Sequence, residues 1–164
     1  MHGAMAEAPR FLCDEMLGHL CLYLRAAGYD TLLSERGTSD AALLRQSHNE
    51  GRIFLSQDAR IAEHKAAEGI AFIFPHVSLN QLAGLVGKQF RLDWMTRAFT
   101  RCLVDNAQLV PADETARLRA PKDVLRPWEP LLSCPVCGRV YWRGSHYRRM
   151  SERLRAWQAE LRVS

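Results

Sequence analysis

Cys134 and Cys137, in the stretch CPVCGRVYWRGSH, are separated by two residues. At that spacing two thiolates reach one zinc ion from a single turn, so the pair supplies half of a four-ligand site. No second such pair exists, because the remaining cysteines are Cys13, Cys21 and Cys102. Three carboxylates point to a different chemistry. Asp14 ends the run FLCD, Asp58 ends RIFLSQD, and Asp40 heads DAALL. Their hard oxygens suit Mg²⁺ or Mn²⁺, ions that polarise a phosphoryl oxygen and activate water for in-line attack. Each also has a plainer role to fill. Asp40 stands in a first helical turn, Asp58 at an N-cap, and Asp14 in a loop. Behind the cysteine pair come Tyr141, Trp142, Arg143 and His146, then Arg148 and Arg149. The rings could stack on unpaired bases while the cations hold phosphates. Packing of the cysteine-bearing unit against a core is the alternative, and for Trp142 the favoured one.

The apolar pattern predicts what must position these groups. Phe11–Cys13 is a strand, and Leu17, Leu20, Leu24 and Ala27 follow at helical spacing with Gly28 as the stop. Residues 29–33 form a second strand, and Ser39 caps a helix that ends near Gly51. Residues 52–56 form a third strand, a helix runs from about Ala59 to Gly69, residues 70–74 form a fourth, and Ser78 caps another helix. Alternating β and α elements predict a parallel sheet with helices on both faces. Such sheets place ligands outside the carboxyl ends of their strands, so Asp14, Asp40 and Asp58 should share one edge. Carboxylates gathered there repel one another unless a cation or proton intervenes.

From Leu92 the pattern changes. Residues 94–103 read as helical, and residues 110–130 read as a loop with four prolines, 111, 121, 127 and 130. Ser145–Val163 reads as a basic helix whose Leu154, Trp157 and Leu161 make a docking stripe. Cys13 and Cys21 read as small core residues, and His19, His48 and His64 as solvent-facing. Residues 1–9 read as a disordered leader.

Of the 164 residues 48% are apolar, which supports a real core. No apolar run approaches the roughly 20 residues of a membrane span, and no signal-peptide core is present, so a cytoplasmic protein is expected. Five cysteines without an export signal argue against a disulfide framework. The net charge is only +4, yet Arg139, Arg143, Arg148, Arg149, Arg153 and Arg155 crowd the C-terminal end. That fits either a polyanionic partner or a solvated basic helix.

The segments FLCDEMLGHLCLYLRAAGYDT, SDAALL, RIFLSQD, RCLVDN and CPVCGRVYWRGSHYRRM together resemble the Mut-seven C-terminal RNase domain family, over residues 10–150. That family is similar to PIN-domain nucleases. The resemblance implies a PIN-like parallel sheet flanked by helices (residues 10–95), a zinc ribbon (96–150) and a basic C-terminal helix (151–164). It implies a metal-dependent ribonuclease whose acidic site is Asp14, Asp40 and Asp58, with Mg²⁺ or Mn²⁺ as its ion. From the residues themselves, Arg143, His146, Arg148 and Arg149 are the expected contacts to single-stranded RNA. Two departures stand out. Gln57 occupies the place of the family's arginine before the third acid, and Asp105 replaces the ribbon's second cysteine. Cys102 and Asp105 keep the two-residue spacing, so with Cys134 and Cys137 they form a closed, structural Cys₃Asp zinc set. Water or His146 competes with Asp105 for the fourth place. A second reading is a non-catalytic RNA-binding protein with a zinc ribbon and basic tail. A third, a signalling receiver domain, is set aside, because its lysine belongs after a fifth strand and Lys88 falls late in a helix.

Overall fold

Four short apolar runs pair into one parallel sheet. They are β1 (Phe11–Cys13), β2 (Thr31–Leu33), β3 (Ile53–Ser56) and β4 (Ala71–Ile73), in the order β2-β1-β3-β4. Helices α1 (Gly18–Ala26), α2 (Asp40–Glu50) and α3 (Leu79–Phe90) make the crossovers. This computed structural model describes residues 7–123 and 128–164. Most of the expected leader and Pro127 of the proline-bearing loop lie outside them.

The strands read as continuous apolar runs because both faces are covered. Side chains alternate across a strand. Phe11, Cys13 and Leu55 therefore join α1 and α3 residues in one cluster, while Leu12 and Phe54 join Leu43 and Leu44 of α2 in another. Local chemistry sets the helix starts. The Ser39 hydroxyl accepts from the Ala42 N–H, and Ser78 forms a reciprocal box with Gln81.

Two expected helices do not form. Residues 59–69 make two short 3₁₀ segments, Ala59–Glu63 and Lys65–Ala67. Only Ile61 and Ala67 are buried there. His64 between them is extended (φ −77°, ψ 123°), so no single helical phase runs through the segment. In residues 94–103, Phe99 takes a φ of 61° and its N–H donates to the Ala26 carbonyl at 2.6 Å. That left-handed residue stops any helix, and the segment lies flat on the end of α1. Gly28 (φ 91°) permits the approach, since a Cβ there would collide with the Arg97 carbonyl oxygen.

The remainder adds a small antiparallel sheet, β5 (Val110–Pro111), β6 (Leu132–Ser133) and β7 (Val140–Tyr141), with the single-turn helix α4 (Glu114–Arg117) between β5 and β6. The basic helix α5 (Ser145–Val163) follows. Its stripe docks as the spacing predicts. Met150, Leu154 and Trp157 are buried in the first cluster, and the Trp157 ring meets Trp94 and Tyr23 edge-on at 5.0 and 4.9 Å. Arg148, Arg149, Arg153 and Arg155 stay exposed on the outer face.

At the amino ends of the strands one carboxylate gathers three partners. Asp30 accepts from Arg52 Nη1 (2.7 Å), Asn106 Nδ2 (2.7 Å) and Arg10 Nε (3.2 Å). Burial pushes its pKa up, but bonds from Arg52 and Asn106 outweigh this and hold it at about 2, below the ordinary 3.8. A depressed carboxyl stabilises the fold above its ordinary pKa and loses that contribution as pH falls towards 2. Asp30→Asn should therefore cost about 1–2 kcal/mol near pH 7, allowing for partial exposure, because Arg52 loses its buried partner. Urea unfolding from pH 7 to pH 3 should show the gap from the parent closing. A constant gap would mean that packing, not charge, is lost.

Candidate active cleft and metal centre

The carboxyl ends of β1, β3 and β4 and the start of α2 open into a cleft of about 770 Å³ lined by Asp14, Asp40 and Asp58. Each is placed by its own segment. The Asp14 N–H donates to the Leu55 carbonyl at 2.9 Å, continuing the β1–β3 pairing. Its carboxylate accepts from the Glu15 N–H (2.7 Å) and the Ser56 hydroxyl (2.7 Å). Ser56 Oγ in turn accepts from the Asp58 N–H at 3.0 Å, so one hydroxyl links two of the acids. Asp58 caps the turn after β3 through the Arg60 N–H at 2.9 Å. Arg60 Nη2 also grips it at 2.7 Å and Nε at 3.1 and 3.2 Å. The Arg60 guanidinium, then the Arg60 N–H, draws the Asp58 pKa down to about 2. Asp40 opens α2, with His64 Nε2 3.5 Å from its carboxylate.

Mutual repulsion is thus partly answered by side chains. Arg60 neutralises Asp58, and a protonated His64 would do the same for Asp40. The three acids also fill the plainer capping and first-turn roles. They share the cleft, yet do not converge as closely as the cysteine set described below. Gln57 also lines the cleft, and its Nε2 donates to the Pro75 carbonyl at 2.8 Å. Glu35, Arg60 and His76 also line the cleft and were missed from the sequence. Ser56 and Arg60 flank Asp58 at two residues on either side and could have been noticed. Nothing local singled out Glu35 or His76.

Among the described residues, one group converges to metal-ligand distance. One ligand atom each from Cys102, Asp105, Cys134 and Cys137 lies within 4.8 Å of the others. A tetrahedral ion bonded at about 2.3 Å separates its sulfurs by about 3.8 Å. The Sγ atoms of Cys102 and Cys137 are 3.7 Å apart, and Cys134 Sγ lies 3.2 and 3.3 Å from the Asp105 oxygens. The donor set fits zinc. Asp105 stands within this cluster and His146 does not. Burial pushes the Asp105 carboxyl up, but hydrogen bonds from the Ala107 N–H and the three thiols hold it at about 2. The Arg139 N–H lowers Cys137, whereas burial and bonds to Asp105, Cys134 and Cys102 outweigh it and push the thiol up to about 12. An ionised Asp105 ringed by thiols is thus poised to trade their protons for a cation.

The centre is fastened to the amino end of the parallel sheet. Asn106 Oδ1 accepts from the Thr31 N–H at 2.9 Å, and Arg25 Nη1 donates to the Leu103 and Val104 carbonyls at 3.0 and 2.9 Å. The cleft aspartates stand at the other, carboxyl end of the same sheet. Arg143 and His146 line a separate groove beside the small sheet rather than the cleft. Arg148 and Arg149 lie on the exposed face of α5.

The parallel sheet thus carries three acids at its carboxyl edge and a Cys₃Asp cluster fastened to its amino end. The Mut7-C RNAse domain model matches residues 9–154, nearly the whole chain, and the chain belongs to that family. No curated protein and no solved structure matches it. Membership points to a nuclease-like role with RNA as substrate. Among the described residues no helix is long and apolar enough to cross a membrane.

Proposed function

We propose that this chain is a cytoplasmic, metal-dependent endoribonuclease acting on single-stranded RNA. One observation carries the reading: Asp14, Asp40 and Asp58, from three separate segments, line one cleft at the sheet edge where α/β folds place their chemistry. An Mg²⁺ or Mn²⁺ ion held by these carboxylates would supply Lewis-acid activation of water and charge neutralisation. The open spacing of the acids suits Mg²⁺, which keeps several waters and takes only one or two carboxylates. Ser56 keeps Asp14 and Asp58 in fixed relation, and Arg60 masks Asp58 until a cation competes for it. Residues 10–95 form the nuclease core and 96–150 the ribbon, with zinc as structural staple; residues 151–164 continue the basic helix.

The test is incubation of labelled single-stranded and structured RNAs with Mg²⁺, Mn²⁺ or EDTA. We expect internal cleavage of single strands with either metal and none in EDTA. The grip of Arg60 on both Asp58 oxygens favours a second reading, an RNA-binding protein without catalysis. Binding without cleavage in every metal would establish that reading and overturn the first.

A further inference from the structure

A second concavity, of about 610 Å³, lies between the flank of α1, the 98–104 segment, strands β6 and β7 and the first turn of α5. Its character is the reverse of the acidic cleft. Arg101, Arg139, Arg143 and His146 line it, with no carboxylate among the described lining residues. A phosphodiester chain is repelled by the cleft carboxylates unless a cation is present, so a strand is better held elsewhere.

The groove also carries aromatic rings. Phe99 and Tyr147 stand 4.3 Å apart between centroids, tilted by 44°, and the Arg143 guanidinium lies 5.7 Å from the Tyr147 centroid. Trp142 adds a third ring to the wall. Phe99 is the residue held at φ 61°. A bulky side chain is rarely kept in that region, and such strain clusters where ligands are bound. Tyr141, in the same wall, is fixed from behind. Its hydroxyl accepts from the Leu103 N–H at 3.1 Å and stands 3.1 Å from Cys102 Sγ. The metal centre thereby holds one side of the groove in place.

We infer that this groove is a binding site for an unpaired stretch of RNA, with bases against Phe99, Trp142 and Tyr147 and phosphates at Arg143 and His146. The inference rests on RNA being the substrate. It adds that the strand is gripped away from the aspartates, at a surface whose wall depends on the ribbon metal. Splayed bases reach such rings and duplex bases do not, so single strands are selected.

The test uses the full, zinc-loaded chain in buffer without added Mg²⁺ or Mn²⁺, with fluorescent oligouridylates of about 4 and about 15 nucleotides and a duplex of the longer length. We expect the parent to bind the long single strand best. Arg143→Ala and Tyr147→Leu should each weaken that binding about ten-fold, the scale of one lost base stack. Arg143→Ala should also lower the salt slope by about 0.7. In cleavage assays the loss should fall on KM. Unchanged affinity in both variants, or equal binding of the duplex, overturns the groove. A parent that self-associates through these residues instead would assign the groove to a second copy and overturn it too. If the parent cleaves RNA while both variants bind like it, the groove alone fails. If the parent neither binds nor cleaves, the RNA reading fails with it.

Discussion

Asp58→Asn is expected to abolish cleavage, by at least about 100-fold, while the protein melts with the parent. The magnitude follows from the losses seen when even a supporting contact to a bound metal is removed, typically 10–100-fold; losing a ligand costs no less. The unchanged stability follows from what Asp58 does in the fold. Its carboxylate caps the turn after β3 through the Arg60 N–H, and asparagine caps equally well. The pairing with Arg60 is solvent-exposed, and such pairs contribute little. Initial rates on labelled RNA with Mn²⁺, together with thermal melts of the zinc-loaded chains without added Mn²⁺, separate the two roles. Retained cleavage would remove Asp58 from the site. A melt well below that of the parent would make it a structural residue instead.

Cys134→Ser should strip zinc from the chain and open the ribbon to proteolysis, with α1–α3 and their sheet left intact. The strands β5, β6 and β7 have two residues each, far too little to stand alone. Structural zinc contributes on the order of 10–16 kcal/mol of apparent binding energy to domains of this kind, and that energy is folding energy. Asp105→Ala should have a milder effect, opening one position in the coordination sphere and speeding zinc loss to a chelator. Asp105→Cys should slow it, since a fourth thiolate is a softer ligand than a carboxylate. Metal analysis and release into a chromogenic chelator measure all three variants against the parent. Equal release from the parent and Asp105→Ala would place Asp105 outside the coordination sphere. A folded parent with no zinc would show that the cysteines hold nothing.

Phe11–Cys13 and residues 52–56 are legible as buried strands because sheets covered on both faces demand unbroken apolar runs. Ser39 and Ser78 are legible as caps because capping is settled within four residues. Those two facts already place Asp14, Asp40 and Asp58 on one edge. Features that depend on contact between distant segments were decided only by tertiary structure. Residues 59–69 break at His64 into two 3₁₀ turns, each burying one residue, Ile61 or Ala67, in the cluster with Leu43, Leu44 and Phe54. Phe99 adopts a left-handed backbone because its segment is pressed against the end of α1. Arg60 closes on Asp58, and Asp105 reaches Cys134 from across a long loop. Helical period and capping act over a few residues and are written locally. Which side chains meet across the fold depends on register and packing, which no short window of sequence contains.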